Sequence, residues 1–225
     1  MTIMDENKTK IPNVESKLRH NILTMPEEIR RASGIKIFGR RIKSLVFTTE
    51  IAIIRNCDAD AVFAVYPFTP QQSISDAIIR SAYVPVFCGV GGGTTKGRRT
   101  VTLAKDAEMQ GAMGVVLNAP VSNTNLRAVS MAVDIPTIIT VVNEKTDIGR
   151  RLQSGASIIN VAGAAQTPDI VRKIRKKYPD IPIIATGGNE PELILKTIEA
   201  GANAITHTPP SPAVLFKEMM VRYRE

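Results

Sequence analysis

The residues best equipped for chemistry sit where short apolar runs end in glycine, threonine or asparagine. Residues 181–189 read IPIIATGGN, an apolar run that stops at Thr186, Gly187 and Gly188 before Glu190-Pro191-Glu192 opens a helix-like segment. A glycine turn facing a helix start presents unobstructed N–H donors and the positive end of a helix dipole, so this turn is a candidate phosphate site. The same glycines also suit a plain, tight strand-to-helix connection. A second stretch, GVGGGTTKGRR at 89–99, combines Gly92, Gly93 and Thr94 with the point charges Lys96, Arg98 and Arg99. It lacks the spacing of a P-loop and reads either as an anion wrap or as a mobile lid. His207 is placed to move a proton near neutral pH, although a lone histidine also occurs as a satisfied structural group. Glu50 suits general acid–base work or, with Thr48 and Thr49, helix capping. Lys96 would orient an anion, and Asn118, Asn143 and Asn160, each ending an apolar run, would bind polar groups of a ligand. No two-His-one-carboxylate set or carboxylate cluster falls at these ends, so neither a protein-bound metal nor another cofactor is expected.

These residues need a scaffold that brings strand ends together. β-Branched runs begin near Lys43, Asp60, Val84, Gly114, Pro136, Ser157, Ile181 and Asn203, spaced 17 to 30 residues apart, with helix-like segments between them. Eight such units predict a single closed (β/α)8 barrel over 43–225, because right-handed crossovers of this length give parallel neighbours. A doubly wound open sheet is the alternative, but its early GxGxxG turn is absent. Helices are expected over 70–82, 144–152 and 168–178, and the Gly-Ala pairs at 111, 155 and 201 read as helix ends returning the chain to the barrel bottom. The basic cluster at 172–177 reads as a solvated helix end. Residues 1–42 are expected to form an N-terminal helical extension, with Val14, Leu18 and Ile22 at helical spacing and a second piece opening at Met25-Pro26-Glu27-Glu28.

Composition narrows the class. A chain of 225 residues with 44% hydrophobic content and mean hydropathy +0.01 suits one globular domain, and no run approaches the length of a membrane span or resembles a signal peptide. A cytoplasmic location is expected. Cys57 and Cys88 have no CxxC partner and read as reduced, buried thiols, with a catalytic thiol at Cys88 the lesser reading. The formal charge of +8 is concentrated in residues 1–44, which carry ten Lys or Arg against five Asp or Glu. Without interleaved aromatics or a reading motif, this excess does not predict nucleic-acid binding. Leu215, Phe216, Met219 and Met220 suggest a surface for a homo-oligomer.

GGGTT at 91–95, the polar strand end at Asn118, PTIITV at 136–141 and ATGGNEPE at 185–192 together resemble the ribulose-phosphate-binding group of TIM barrels, in particular its 2-keto-3-deoxy-6-phosphogluconate aldolase branch. The resemblance covers residues 43–225 and implies phosphate contacts at Thr186, Gly187 and Gly188. It departs from the family at 157–161, SIINV, where the aldolases carry a Schiff-base lysine, and at 207–211, HTPPS, where two prolines remove N–H donors from the usual phosphate cup. The expected function is therefore an enzyme acting on a small anionic, phosphorylated carbohydrate or keto acid by lyase, isomerase or hydrolase chemistry without a Schiff base. The alternative is a noncatalytic metabolite-binding regulatory barrel with a protein or nucleic-acid partner.

Overall fold

A computed structural model describes residues 12–14, 16, 23–66, 68–186, 188–222 and 224, with the Arg222 side chain left out. Eight parallel strands close in sequence order, with the last pairing the first: β3 (Ser44–Phe47), β4 (Ala61–Ala64), β5 (Val86–Gly91), β6 (Gly114–Leu117), β7 (Thr137–Val141), β8 (Ile158–Val161), β9 (Ile183–Thr186) and β10 (Ala204–His207). This is the expected (β/α)8 barrel, with each strand within two residues of its predicted start. Helices α1 (Ile51–Ile54), α2 (Gln72–Ser81), α3 (Arg98–Met109), α4 (Asn123–Ser130), α5 (Ile148–Gln153), α6 (Thr167–Lys177) and α7 (Pro191–Glu199) separate the strands, and α8 (Pro212–Arg222) follows β10. Gly111, Gly155 and Gly201 hold φ near +100°, the left-handed bend that ends α3, α5 and α7.

Strand alternation sorts the side chains into two cores. Val46, Val62, Cys88, Leu117, Ile139, Val161 and Ile205 point outward and join the helices, whereas Leu45, Phe63, Phe87, Val116, Ile138, Ile158 and Ile184 point inward and fill the lower barrel. That lower end is closed by an element absent from the sequence-based expectation. The described part of residues 1–42 holds a short 3₁₀ turn, Glu27–Arg31, and an antiparallel hairpin of β1 (Ile35–Ile37) and β2 (Arg40–Ile42). Phe38 and Gly39 both have positive φ, as a two-residue turn of this hand requires. Ile35, Ile37 and Ile42 join the inward core and stopper the barrel. Among the described residues of this extension the helical part is the one 3₁₀ turn, and Ile42 lies opposite Ile35 across the hairpin. Val14 is exposed outside regular structure, and Leu18 and Ile22 lie outside the described residues.

The basic cluster on α6 is not uniformly solvated. Arg175 donates to the carbonyls of Gly201, Pro179 and Ile181 and to Asn203 Oδ1 at 2.6–2.8 Å, knitting the barrel bottom, while Asn203 Nδ2 donates to Ser33 Oγ. α8 leaves Val214, Phe216, Met220 and Val221 exposed, and Leu215 half-buried. Among the described residues no helix is long and apolar enough to cross a membrane.

Candidate functional site at the barrel mouth

Two residues beyond the apolar inward row, the same strands change character. Thr140 on β7, Asn160 on β8, Thr186 on β9 and Asn118 just past β6 line a cavity of about 470 Å³ at the C-terminal end of the barrel. Phe47, Phe63, Val65 and Tyr66 form its apolar wall, and Ala162 and Thr208 its rim. An adjoining cavity of about 300 Å³ shares Val65, Tyr66 and Asn118 and is bounded by Gly91, Gly92, Gly93 and Thr94. Their position is where barrels of this design place their chemistry.

The polar groups of the mouth are held in short networks. Asn160 Nδ2 donates to Thr140 Oγ1 at 3.2 Å, between residues whose Cα atoms pair across β7 and β8. Asn160 is only 3% exposed, yet its Oδ1 has no hydrogen-bond partner among the described residues. A buried carbonyl oxygen without a donor costs roughly 1–3 kcal/mol, so this atom is an unmet hydrogen-bond acceptor in a residue that lines the cavity. Thr186 and Thr206 hydroxyls bond each other at 2.8 Å, and Tyr66 OH bonds Ser75 Oγ at 3.0 Å. Burial pushes the Tyr66 phenol above its ordinary range, so it stays neutral.

The glycine-rich loop is tied in place. Gly92 and Thr95 exchange backbone hydrogen bonds at 3.0 and 3.3 Å, Thr95 Oγ1 donates to Thr69 Oγ1, and Thr100 Oγ1 donates to the Thr95 carbonyl. Gly92 has φ of +116° and passes so close to Asn118 that an added Cβ would stand 2.5 Å from its Cβ. Glycine is required here by close approach as well as by φ. Gly93 and Thr94 are exposed on the mouth side of this turn. At the other candidate anion turn, Thr186 faces the cavity, Gly188 has φ of +73°, and Gly187 lies outside the described residues.

The candidate catalytic residues are not brought together. His207 follows Ile205 on the outward row, is 7% exposed, and leaves Nδ1 without a partner among the described residues; it lies with the helix layer, not in the mouth. Desolvation holds its pKa below the ordinary histidine value. Glu50 is exposed ahead of α1, its backbone N–H donating to Thr48 Oγ1 and its carboxylate capping nothing. Lys96 is exposed past the Gly92–Thr95 turn and lines a groove between α3 and α4. Asn143, two residues beyond the outward Val141, accepts from Lys145 N at 3.0 Å and lines a separate cavity between α5 and α6. Cys88 is buried on the outward row, its thiol pushed up to about 12 by desolvation, which makes it a packing residue. Thr140, Thr206, Phe47 and Phe63 escaped sequence reasoning; the parity of each strand, counted from its inward apolar residue, would have found them.

No protein-family model matches the chain, and no curated protein matches it in sequence. Solved structures do match in shape. A 2,3-dimethylmalate lyase of the PEP mutase/isocitrate lyase superfamily superposes with TM-score 0.62 at 13% identity, covering 80% of this chain and 81% of its own. Phosphonopyruvate hydrolase in complex with oxalate and Mg²⁺ gives 0.60 at 12%, covering 82% and 80%. The 4-hydroxy-tetrahydrodipicolinate synthase of Methylacidiphilum fumariolicum SolV gives 0.57 at 16%, covering 73% and 67%. The likeness is one of fold. It supports a TIM barrel and gives no support to the aldolase branch that the glycine motifs resemble. Among the described residues there is no group of three His, Cys, Asp or Glu suited to a metal, and no carboxylate lines the larger mouth cavity.

Proposed function

We propose that the barrel mouth binds a small anionic metabolite with hydroxyl or carbonyl groups, a phosphorylated carbohydrate or keto acid, and that the chain acts on it by lyase, isomerase or hydrolase chemistry without a Schiff base. The observation that carries this reading is the buried, unpartnered Oδ1 of Asn160 in the cavity wall. It is an acceptor set for a ligand hydroxyl, with Asn118 and Thr140 beside it and the aromatic wall opposite. Thr186 with Gly187 and Gly188 would take the phosphate, and the Gly92-Gly93-Thr94 turn a second polar end. No lysine lines the cavity, in keeping with chemistry other than imine formation. Glu50, three residues past Phe47, is exposed and outside the cavity lining; we assign it to proton transfer on the part of the ligand that projects from the mouth.

The test is thermal unfolding of wild type, Asn160→Leu and Gly188→Asp with phosphorylated sugars, phosphorylated keto acids and inorganic phosphate at fixed ionic strength. A ligand at a hundred times its dissociation constant adds about 2.7 kcal/mol of stability. Selective stabilisation lost in both variants supports the site; none with any of these compounds overturns it. A second reading, a metabolite sensor without turnover, is favoured by one feature: no side chain that titrates near neutral pH lines the cavity. Assay of the stabilising ligand separates the two, since an enzyme turns it over and loses turnover in Glu50→Gln while still binding.

A further inference from the structure

A groove of about 650 Å³ between α3 and α4 has no part in this reading. Arg98, Val101, Thr102 and Lys105 form one face of α3 along it, and Lys96 stands at its head. Val101, Pro120 and Ala128 are its apolar lining. No carboxylate lines it, and none of Lys96, Arg98 and Lys105 takes part in an ion pair among the described residues. Unpaired cations beside apolar side chains suit an anion with an organic body. Arg98 and Lys105 stand about 10 Å apart along α3, a separation that two such long side chains can span to reach one polyphosphate between them. The volume is that of a pocket for a ligand of several hundred daltons. We propose that this groove binds a nucleoside di- or triphosphate, with the base on Val101, Pro120 and Ala128 and the phosphates on Lys96, Arg98 and Lys105.

The groove is built rather than incidental. Asn125 on α4 holds Gly97 by both amide atoms, accepting from its N–H at 2.9 Å and donating to its carbonyl at 3.3 Å, which fixes the backbone between Lys96 and Arg98. Gly97 also belongs to the loop whose glycine half bounds the mouth, and Pro120 lines both spaces. A nucleotide seated here would therefore bear on the loop that shapes the proposed metabolite site.

The test is calorimetric titration with ADP, ATP, adenosine and pyrophosphate at fixed ionic strength. It compares wild type with Arg98→Ala/Lys105→Ala and with a control on another basic helix, Lys176→Ala/Lys177→Ala. The expected result is one saturable site for ADP, weakened at least about tenfold in the α3 variant and unchanged in the control, with pyrophosphate and adenosine each weaker than ADP. Asn160→Leu should bind ADP as wild type does, so failure at the mouth and failure in the groove are separable. The proposal is overturned by equal loss in both double variants, by pyrophosphate binding as tightly as ADP, by the absence of a saturable site, or by binding confined to single-stranded oligonucleotides and growing with their length.

Discussion

The lower half of the barrel interior and its mouth are built from the same strands, one step of two residues apart. On β6, β7, β8 and β9 the lower positions are Val116, Ile138, Ile158 and Ile184, and the upper ones are Asn118, Thr140, Asn160 and Thr186. Below, every inward position is apolar, and three isoleucines from the hairpin close the end. Above, hydroxyls and carboxamides surround open space, and one of them, Asn160 Oδ1, is buried without a partner. Buried acceptors of this kind are uncommon, and this one belongs to a residue that lines the cavity. The contrast teaches that the lower layer is tuned to exclude water and the upper one to exchange it for something that donates a hydrogen bond.

The sharpest way to break the comparison is from below. Phe87 is fully buried, packs near Phe63 with ring centroids 6.5 Å apart, and occupies the lower layer. Phe87→Ala should cost about 3–5 kcal/mol in denaturant unfolding, through lost burial plus the cavity left behind. A cost below about 1 kcal/mol would mean that the lower layer is not the rigid base described. Gly92→Ala comes next. It forces a side chain into a left-handed position and against Asn118, so it should cost about 1–3 kcal/mol and weaken any ligand that depends on the mouth. If the variant keeps both stability and binding, the close approach of loop and strand is not a constraint.

Much of this contrast was legible in the sequence, for definable reasons. The repeat of apolar run, glycine or proline break and helix gave the strand count and order, since eight crossovers of similar length leave few other closures. Asn118, Asn160 and Thr186 were within reach because each ends such a run. Thr140 was not, because it sits inside the PTIITV run, where only strand parity separates inward from outward. Parity also explains why His207 and Asn143 do not line the mouth cavity: each lies at a strand end but on the outward count. The hairpin was hidden by shortness, with three-residue strands around a Phe-Gly turn giving almost no periodic signal. Arg175 looked like its charged neighbours, and only the folded chain brings to it the carbonyls of Pro179, Ile181 and Gly201.

From above, Asn160→Leu sharpens the same comparison by extending the apolar layer upward. The substitution removes a buried acceptor without a partner, a relief of roughly 1–3 kcal/mol, and also removes one hydrogen bond to Thr140 worth about 1 kcal/mol. Unfolding stability should therefore hold or rise slightly while ligand-induced stabilisation is lost. A large loss of stability would show instead that Asn160 is a structural residue.

The smallest effect belongs to His207, on the outward side of the same barrel. Burial keeps its pKa below about 6.5, the value expected of the unfolded chain. Between these two values the unfolded state binds the proton and the folded state does not. The stabilisation is therefore complete above the unfolded pKa and is lost as pH falls toward the folded one. Wild type should lose thermal stability on going from about pH 8 to about pH 5 more steeply than His207→Leu, which has nothing to protonate there. Metabolite binding by His207→Leu should match wild type at neutral pH, because this side chain is on the helix side of β10. Loss of binding in a stably folded His207→Leu would place the imidazole in the functional mouth after all, and the division between an apolar outer layer and a polar inner rim would then fail at β10.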